Sequence, residues 1–589
     1  MIPSSIPAAL ADHAARFPDG PAYTFLDYDV DPAGYAETLT WAQVQHRAQV
    51  IGREIASYGS PGDRVAICAP QGLEYVLGFY GVLAAGFIAV PLPVPALGKQ
   101  DERVTSALKD CAPVAILTTS TAVDDVTSCV GVLPGPPPAI VEVDAMDLDA
   151  PVDPLPLPST KTALLQYTSG STSMPKGVTV THRNIFANLE QVVADYFDDT
   201  GGMPLPDTTL VSWLPFFHDM GMLLGITGAL GLKLRAVLMS PIAFLQKPAR
   251  WVQQLAENSR TFTASPNFAF ELAARRTSDA DMAGYDLSDV HTILSGSERI
   301  HAATIRRFNE RFAQFNLPEN AVAPSYGLAE AMVYAGSAAR SSRPHYARFD
   351  YEKLAAGHAE PCEGQNATEL VDLGVPRACI LRIVDPDKHT EKPIGEVGEV
   401  WLHGDNIATG YWKKPQQTEQ AFGGRIVDPA PGTPSGRWLR TGDLGVITDD
   451  GFYIVGRIKD MLIIDGRNHY PDDIEGTVQE LSRGRAVAIS VTSGESEQLA
   501  VIVEVKQHPG GTDQELQGRM QTIRQEVTSA VSKVHGVRIG DLVLVPQGAI
   551  PITTSGKVRR SSCVEIYQKG EFTRLDAVAP TREAVDALR

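Results

Sequence analysis

The chain has 589 residues, of which 43% are hydrophobic and 21% charged, and its formal net charge is -19 at pH 7. This composition is that of an ordinary soluble globular protein, and the length implies several domains. The acidic balance argues against a nucleic-acid partner, which would favour a basic surface. Six widely spaced cysteines without a CxxC pair predict reduced, unlinked thiols, as is usual in the cytoplasm.

The N-terminal stretch MIPSSIPAALADHAARFPDG has no basic start followed by an apolar core, so it does not predict a signal peptide. Residues 75–97 carry no charge over a length that would span a bilayer, but Gly86 and three spaced prolines interrupt them. A buried helix to about Ala85, followed by a buried strand at 87–90, is the better prediction. We therefore expect no integral membrane segment.

Short apolar runs alternate with helical periodicity over the first two-thirds of the chain. This alternation predicts a doubly wound α/β architecture that occurs twice. Strands are predicted at residues 64–68, 87–90, 114–117, 164–167, 210–214, 236–239, 261–264 and 292–294. The proline-rich segment 133–158 is expected to be a surface connection between the two blocks.

The pattern changes near Ile380, where ILRIVD, GEVGEVWLHG and GVITDDGFYIVG predict antiparallel strands with tight turns. We expect a small β-subdomain at about 376–456, within an N-terminal domain of residues 1–456. Further strands and helices predict a smaller α+β domain at 457–589. The predicted fold class is therefore α/β, with two doubly wound subdomains and a β-subdomain followed by a smaller α+β domain.

The segment YTSGSTSMPKG at 167–177 combines glycines, small hydroxyl side chains and one lysine between two apolar runs. Such a loop lets several backbone N–H groups converge on a phosphate, to which the lysine adds charge. A solvated Ser/Gly turn is the alternative for this segment taken by itself. The loop is not a Walker A motif, because Pro175 stands where a glycine should precede the lysine and Gly177 stands where Ser or Thr should follow.

Further segments follow in order: SYGLAE at 325–330, RTGD at 440–443, GRIKD at 456–460 and PITTSGKVRR at 551–560. Each is weak evidence separately, because an acid in a turn is usually a cap. Together, from roughly residue 10 to residue 570, they resemble the adenylate-forming superfamily of acyl-CoA synthetases, luciferases and peptide-synthetase adenylation domains. Members of that superfamily join a carboxylate to AMP from ATP and release pyrophosphate.

The resemblance implies which residues bind ATP. Those that would steady its β- and γ-phosphates are Thr168, Ser169, Gly170, Ser171, Thr172 and Lys176. Those that would line the adenine and acyl groove are Ser297, Glu298, Ser325, Tyr326 and Gly327. Tyr326 would stack on adenine.

The same resemblance implies roles for five polar residues. Glu330 would help hold Mg²⁺, a hard cation that prefers carboxylate oxygen. Asp443 would accept hydrogen bonds from the ribose hydroxyls, with Arg457 nearby. Lys557 would bridge the acyl carboxylate and the α-phosphate, where a cation offsets the charge that develops as one anion attacks another. His218 would lie beside the incoming carboxylate, although a lone histidine is more often structural.

A hinge is expected near Lys459 and Asp460, about which the mobile C-terminal domain of the superfamily swings after adenylation. Such a motion lets one site serve two half-reactions. Apolar residues near HDMG and SPNFAFELA are candidates for an acyl tunnel, although most such residues are simply core. These candidates are Met220, Gly221, Met222, Leu223, Phe268 and Phe270.

A narrower resemblance rests on VSWLPFFHDMG, SPNFAFELAARRTSD and GRNHYPDDIE, which are similar to fatty acyl-AMP ligases of the mycobacterial, polyketide-synthase-associated type. Those enzymes activate long-chain fatty acids and pass the acyl group to the phosphopantetheine thiol of an acyl carrier protein. The interval after Glu330 is longer than in most acyl-CoA synthetases, and an insertion at about 346–370 is expected to hinder the CoA-forming arrangement. A neutral surface loop is the alternative. Lys176 departs from this pattern, because close relatives often have alanine there.

Two other functions remain open from the sequence. A long-chain acyl-CoA synthetase shares the first half-reaction, and a non-catalytic nucleotide- or lipid-binding homologue would keep the fold without the chemistry. The presence of Lys557, Glu330 and Asp443 argues against the second of these. A serine hydrolase is excluded, because the sequence contains no GxSxG segment.

Overall fold

The fold is given by a computed structural model. It describes residues 4–95, 102–168, 175–340, 343–364, 366–377, 379–464, 467–493, 496–506, 512–552 and 557–575. The first half of the chain forms two large sheets flanked by helices, and smaller sheets follow.

The first block contains strands β1–β14 and helices α1–α12. The strands are β1 (Pro21–Asp27), β2 (Tyr35–Thr40), β3 (Arg64–Ile67), β4 (Ile88–Pro91), β5 (Ala115–Thr118), β6 (Ala139–Glu142), β7 (Thr162–Thr168), β8 (Lys176–Thr181), β9 (Thr209–Ser212), β10 (Arg235–Met239), β11 (Phe262–Pro266), β12 (Thr292–Gly296), β13 (Val322–Tyr326) and β14 (Gly336–Ser337). The helices are α1 (Ile6–Arg16), α2 (Trp41–Ile55), α3 (Leu73–Ala84), α4 (Glu102–Cys111), α5 (Val123–Val130), α6 (His182–Tyr196), α7 (Asp219–Met222), α8 (Gly228–Leu232), α9 (Pro241–Gln246), α10 (Ala249–Glu257), α11 (Asn267–Arg276) and α12 (Ala302–Ala313).

One sheet has the strand order β6-β5-β3-β4-β7-β8, and the other has the order β14-β13-β12-β11-β9-β10-β1-β2. Their inner strands pair in parallel, while β7 with β8, β1 with β2 and β13 with β14 pair antiparallel at the edges. All eight strands predicted in this block occur, with ends that differ by one or two residues. The prediction of two doubly wound α/β units is therefore confirmed.

The segment 133–158 is not only a surface connection, and that prediction is wrong in part. Ala139–Glu142 forms strand β6, which pairs in parallel with β5 at the edge of the six-stranded sheet. Three of its four side chains are only half-buried, so the apolar signal of this edge strand is weak. The flanking prolines further obscure it in the sequence.

In the described part of this stretch, residues 75–95, the buried helix α3 is followed by the buried strand β4, as predicted. Within the described part of the chain, no helix combines the length and the apolar character needed to cross a membrane. All six cysteines are free thiols, as predicted.

The second block begins with a two-stranded sheet, β15 (Tyr346–Asp350) and β16 (Ala367–Val371), joined through α13 (Tyr351–Ala355). A four-stranded antiparallel sheet follows, with β17 (Ile380–Val384), β18 (Gly398–His403), β19 (Leu439–Thr448) and β20 (Gly451–Arg457), and α14 (Pro415–Phe422) precedes β19. This sheet corresponds to the predicted β-subdomain.

The last block, here called the C-terminal unit, comprises the described residues from 462 onward. Its strands are β21 (Leu462–Ile464), β22 (Arg467–His469), β23 (Ala486–Ser493), β24 (Ser496–Val505) and β25 (Ile539–Pro546). Its helices are α15 (Pro471–Ser482), α16 (Asp513–His535) and α17 (Arg560–Gln568). Side chains such as Ile474, Val501 and Val527 form an apolar core of its own, so the unit is stabilised largely from within.

Candidate active site

A cavity of about 1900 Å³ lies between the two large sheets, the β-subdomain and the C-terminal unit. Most of the residues that the sequence indicated for the site line this one space. They are Thr168, Lys176, His218, Met220, Phe268, Ser297, Glu298, Ser325, Tyr326, Gly327, Glu330, Asp443, Arg457, Lys459, Asp460 and Lys557. Residues almost four hundred positions apart in the sequence therefore meet at one site.

Leu223, a further tunnel candidate, also lines this space, whereas the other candidates are not among its described lining residues. Ser169, Gly170, Ser171 and Thr172 of the expected phosphate loop lie outside the described residues. Gly221 packs against the backbone, where a Cβ atom would lie 2.1 Å from the carbonyl oxygen of Pro215. Of the expected tunnel residues, Met222 and Phe270 are fully buried in the main apolar core.

Tyr326, Asp443 and Arg457 form a hydrogen-bonded group on one wall. Asp443 on β19 is in register with Arg457 on β20, and Nε of Arg457 lies 2.7 Å from Oδ1 of the aspartate. The hydroxyl of Tyr326 donates to Oδ2 at 2.8 Å. Burial, together with the negative charge of Asp443, raises the pKa of Tyr326 well above its usual value, so the phenol remains a donor. Both carboxylate oxygens are thus held in place.

A second group contains His218 and Asp219, at the start of the short helix α7. Nδ1 of His218 lies 2.7 Å from Oδ1 of Asp219, which also accepts the N–H of Met220 at 2.8 Å. Burial opposes ionisation of Asp219, but His218, Lys557 and the Met220 N–H lower its pKa to about 2. The carboxylate is therefore ionised at neutral pH and fixes the orientation of the imidazole.

Asp219 is a site residue that the sequence motifs did not indicate. In the sequence, Asp219 is visible only as an acidic residue directly after the histidine of HDMG. That pattern is common on exposed loops. The burial of Asp219 and its interaction with Lys557 depend on the folded chain. Asp219 also lines the cavity.

Ser297 and Glu298 follow β12 and form the opposite wall. Ser297 has φ of 69°, a left-handed conformation that is costly for a residue other than glycine and that is concentrated at functional sites. Oε1 of Glu298 accepts the backbone N–H of Phe268 at 2.8 Å. Burial raises the pKa of Glu298, while the Phe268 N–H and Lys557 oppose that shift.

Lys557 enters the cavity from the C-terminal unit. Burial lowers the pKa of its ammonium group, and Asp219 gives the largest opposing contribution. The segment that carries the lysine is fixed by Arg560, three residues later. Arg560 forms an ion pair with the buried Glu475 and donates to the carbonyl of Ala488 at 2.7 Å. A loop near the end of the chain is thereby anchored to the core of the C-terminal unit.

Glu330 and Lys176 meet at Tyr411. The hydroxyl of Tyr411 donates to Oε1 of Glu330 at 2.7 Å, and the ammonium nitrogen of Lys176 lies 4.9 Å from the centre of the tyrosine ring. Thr168 and Lys176 are paired across the hairpin of β7 and β8, so both ends of the expected phosphate loop are held here.

The donor set around Glu330 is compatible with Mg²⁺. Among the described residues, no three His, Cys, Asp or Glu side chains are grouped to hold a metal by themselves. Mg²⁺ commonly binds through one or two carboxylates, substrate phosphates and water, so a single carboxylate beside the phosphate hairpin is a suitable protein contribution.

Polar contacts hold the C-terminal unit against the rest of the enzyme. Arg299, directly after Glu298, forms an ion pair with Asp473 of α15 and donates to the carbonyl of Val455 at 3.2 Å. The hydroxyl of Tyr351 on α13 lies 2.8 Å from Nδ1 of His469. The present arrangement of the two parts thus depends on polar contacts as well as packing.

Comparison with known proteins agrees with this geometry. The AMP-binding enzyme family matches residues 10–412, and the family described as Disco-interacting protein 2-like, AMP domain, matches residues 459–576. The chain belongs to the AMP-binding enzyme family. This assignment accounts for a cavity lined by residues of the motifs identified above.

Relatives resemble this adenylate-forming enzyme over nearly its whole length. The long-chain-fatty-acid–AMP ligase FadD28 of Mycobacterium bovis is 56% identical and covers 98% of this chain and 100% of its own. FadD26 of Mycobacterium marinum, which has the same description, is 55% identical and covers 97% and 98%. A solved fatty acyl-adenylate ligase from L. pneumophila, in complex with acyl adenylate and pyrophosphate, is 30% identical with a TM-score of 0.72 and covers 96% of both chains.

We predict that Asp219→Asn lowers the adenylation rate by about 100-fold, the scale of losing one preorganised electrostatic group. The amide keeps the shape of the side chain but no longer balances Lys557 or orients His218. The rate is measured as pyrophosphate release, with thermal unfolding as a check of the fold. Asp281→Asn is the control, because Asp281 also has a pKa of about 2 but bonds Ser278 and Lys247 instead. Equal rates in the two variants would contradict the assignment.

We also predict an alkaline limit to activity that is set by Lys557. Because burial lowers its pKa from 10.5, the charged form is lost as the pH rises through that lowered value. The negative charge of Asp219 raises the pKa of Lys557, so Asp219→Asn is expected to move the alkaline limb of kcat/KM to lower pH. Profiles of kcat/KM from neutral to alkaline pH locate the alkaline limb in the unmodified enzyme and in the variant. A limb at the same pH in both would count against an interaction between Asp219 and Lys557.

Proposed function

We propose that this AMP-binding enzyme is a long-chain fatty acyl-AMP ligase. It activates a fatty acid with ATP and Mg²⁺, forms acyl-adenylate and releases pyrophosphate. The observation that carries the proposal is the presence of Lys557 in one cavity with His218, Glu330 and Asp443. The descriptions of relatives that share more than half of its residues support the fatty acid as substrate.

Each side chain has a chemical role in this proposal. Tyr326 packs against adenine, and Asp443, held by Arg457, accepts hydrogen bonds from the ribose. Lys557 lies between the acyl carboxylate and the α-phosphate, where its charge stabilises the transition state of one anion attacking another. The imidazole of His218, oriented by Asp219, lies beside the fatty acid carboxylate.

Thr168 and Lys176 contribute to binding of the β- and γ-phosphates at the hairpin of β7 and β8. Glu330 would supply a carboxylate oxygen to Mg²⁺, which neutralises phosphate charge when bound. Tyr411 orients that carboxylate by bonding Oε1. Lys176 contacts the same tyrosine ring, so its charge lies next to the proposed metal site.

The fatty acid chain extends from His218 into the apolar part of the cavity. Met220, Leu223 and Phe268, the tunnel candidates from the sequence, line this part together with Leu224. An apolar, largely preformed cleft with few polar groups is the usual form of a small-ligand site. The polar end of the same cavity holds the reacting carboxylate.

The acceptor of the acyl group is proposed to be the phosphopantetheine thiol of an acyl carrier protein in a polyketide synthase, and not free CoA. The support lies in the described residues of 346–370, which contact helix α12 on one side and the C-terminal unit on the other. Arg306 of α12 forms a 2.7 Å ion pair with Glu369, while Tyr351 contacts His469 and packs edge-on against His535, with ring centres 5.1 Å apart.

Rotation of the C-terminal unit about Lys459 and Asp460 would break the contacts of Tyr351. We propose that the loss of these contacts disfavours the arrangement needed for CoA thioester formation. We also propose that the boundary between the two domains lies near residues 456 and 457. We also propose that the enzyme works in the cytoplasm, since six free cysteines are typical of a reducing compartment.

We predict that incubation with ATP, Mg²⁺, laurate and CoA yields lauroyl-adenylate and pyrophosphate with little lauroyl-CoA. Addition of a phosphopantetheinylated acyl carrier protein is then expected to yield the acylated carrier. The products are separated by chromatography and identified by mass spectrometry. Carrier protein without phosphopantetheine is the control.

Abundant lauroyl-CoA in the absence of carrier protein would instead identify a long-chain acyl-CoA synthetase. Formation of no adenylate from any fatty acid, with ATP still bound, would favour a non-catalytic binding protein.

A further inference from the structure

The helix that follows His218 contains a local irregularity. Residues Leu223–Thr227 form one turn of π-helix between α7 and α8. The N–H of Gly228 bonds the carbonyl of Leu223, five residues earlier. A Cβ atom on Gly228 would lie 2.7 Å from that carbonyl oxygen, so glycine permits the close bond. Single π turns are rare and occur frequently at functional sites.

Two buried tyrosines hold this turn from outside the helix. The hydroxyl of Tyr23 donates to the carbonyl of Ile226 at 2.7 Å, and that of Tyr80 donates to the same oxygen at 3.1 Å. The two hydroxyls lie 2.6 Å apart, and both side chains are essentially inaccessible to solvent. Tyr23 is on β1 of one large sheet and Tyr80 is on α3, which follows a strand of the other. The turn is thus fixed by both α/β units.

The other side of the π turn faces the cavity. Leu223 and Leu224 line it together with Val192, Leu328 and Val333. These five side chains are apolar, and His218, where the acyl chain is proposed to begin, lines the same cavity. A change in the path of the π turn would therefore change the shape of this surface.

We propose that Tyr23 and Tyr80 are positioning residues that set the chain-length preference by holding the π turn against the acyl groove. The proposal rests on the function proposed above. Neither hydroxyl touches the substrate; both act through the Ile226 carbonyl on Leu223 and Leu224. Because a hydrophobic pocket discriminates single methylenes by their fit, a shift of this wall alters the relative binding of short and long acids.

The test is the double variant Tyr23→Phe/Tyr80→Phe, which removes both hydroxyls and keeps both rings. We expect the ratio of kcat/KM between palmitate and octanoate to change by at least about fivefold, mainly through KM. Tyr75→Phe is the matched control. Tyr75 is also buried on α3, and its hydroxyl has no hydrogen-bond partner among the described residues. This control is expected to have the same ratio of kcat/KM between palmitate and octanoate as the unmodified enzyme.

An unchanged ratio in the double variant, or an equal loss of activity with both acids, would overturn the proposal. If the double variant does not fold, Tyr23→Phe is measured instead, because it removes the shorter of the two bonds to the Ile226 carbonyl, at 2.7 Å. An unchanged ratio in that variant would likewise overturn the proposal. If the unmodified protein forms adenylate with neither acid, the proposed function itself fails, and this inference fails with it.

Discussion

The attraction between Lys557 and the partly buried carboxylate of Asp219 is the interaction on which the site depends. An ammonium group that loses water tends to lose its proton, and nearby carboxylates oppose that loss. Asp219 remains ionised despite burial because His218 and Lys557 surround it. The same carboxylate therefore opposes the effect of burial on the pKa of the lysine and orients the imidazole. A neutral lysine would have no charge with which to stabilise two approaching anions.

The rest of the fold brings these charges together from distant parts of the chain. Asp219 begins a helix after β9, whereas Lys557 belongs to the C-terminal unit. Arg299 joins the two parts through Asp473, and Arg560 anchors the lysine segment through Glu475. Since each ion pair is largely withdrawn from water, removal of one partner would leave an uncompensated charge. The geometry of the site is therefore coupled to the position of the C-terminal unit.

The sequence predicted the two α/β units well, because their inner strands are short apolar runs that stand out from the helices around them. It failed at β6, an edge strand whose side chains are half-exposed between prolines. It located Lys557, Glu330 and Asp443 through motifs that resemble a family. It could not reveal Asp219 as a buried charge or Tyr351 as a contact of His469, since neither burial nor long-range contact is visible in a local pattern. The π turn held by Tyr23 was hidden for the same reason.

The central claim is that the charge of Lys557 acts in adenylate formation and not in binding of the nucleotide. The most direct measurement compares Lys557→Ala with the unmodified enzyme in two assays, equilibrium binding of ATP and formation of acyl-adenylate in a single turnover. The account predicts that ATP binding largely survives while adenylate formation is abolished. An unchanged rate of adenylate formation in the variant would contradict it.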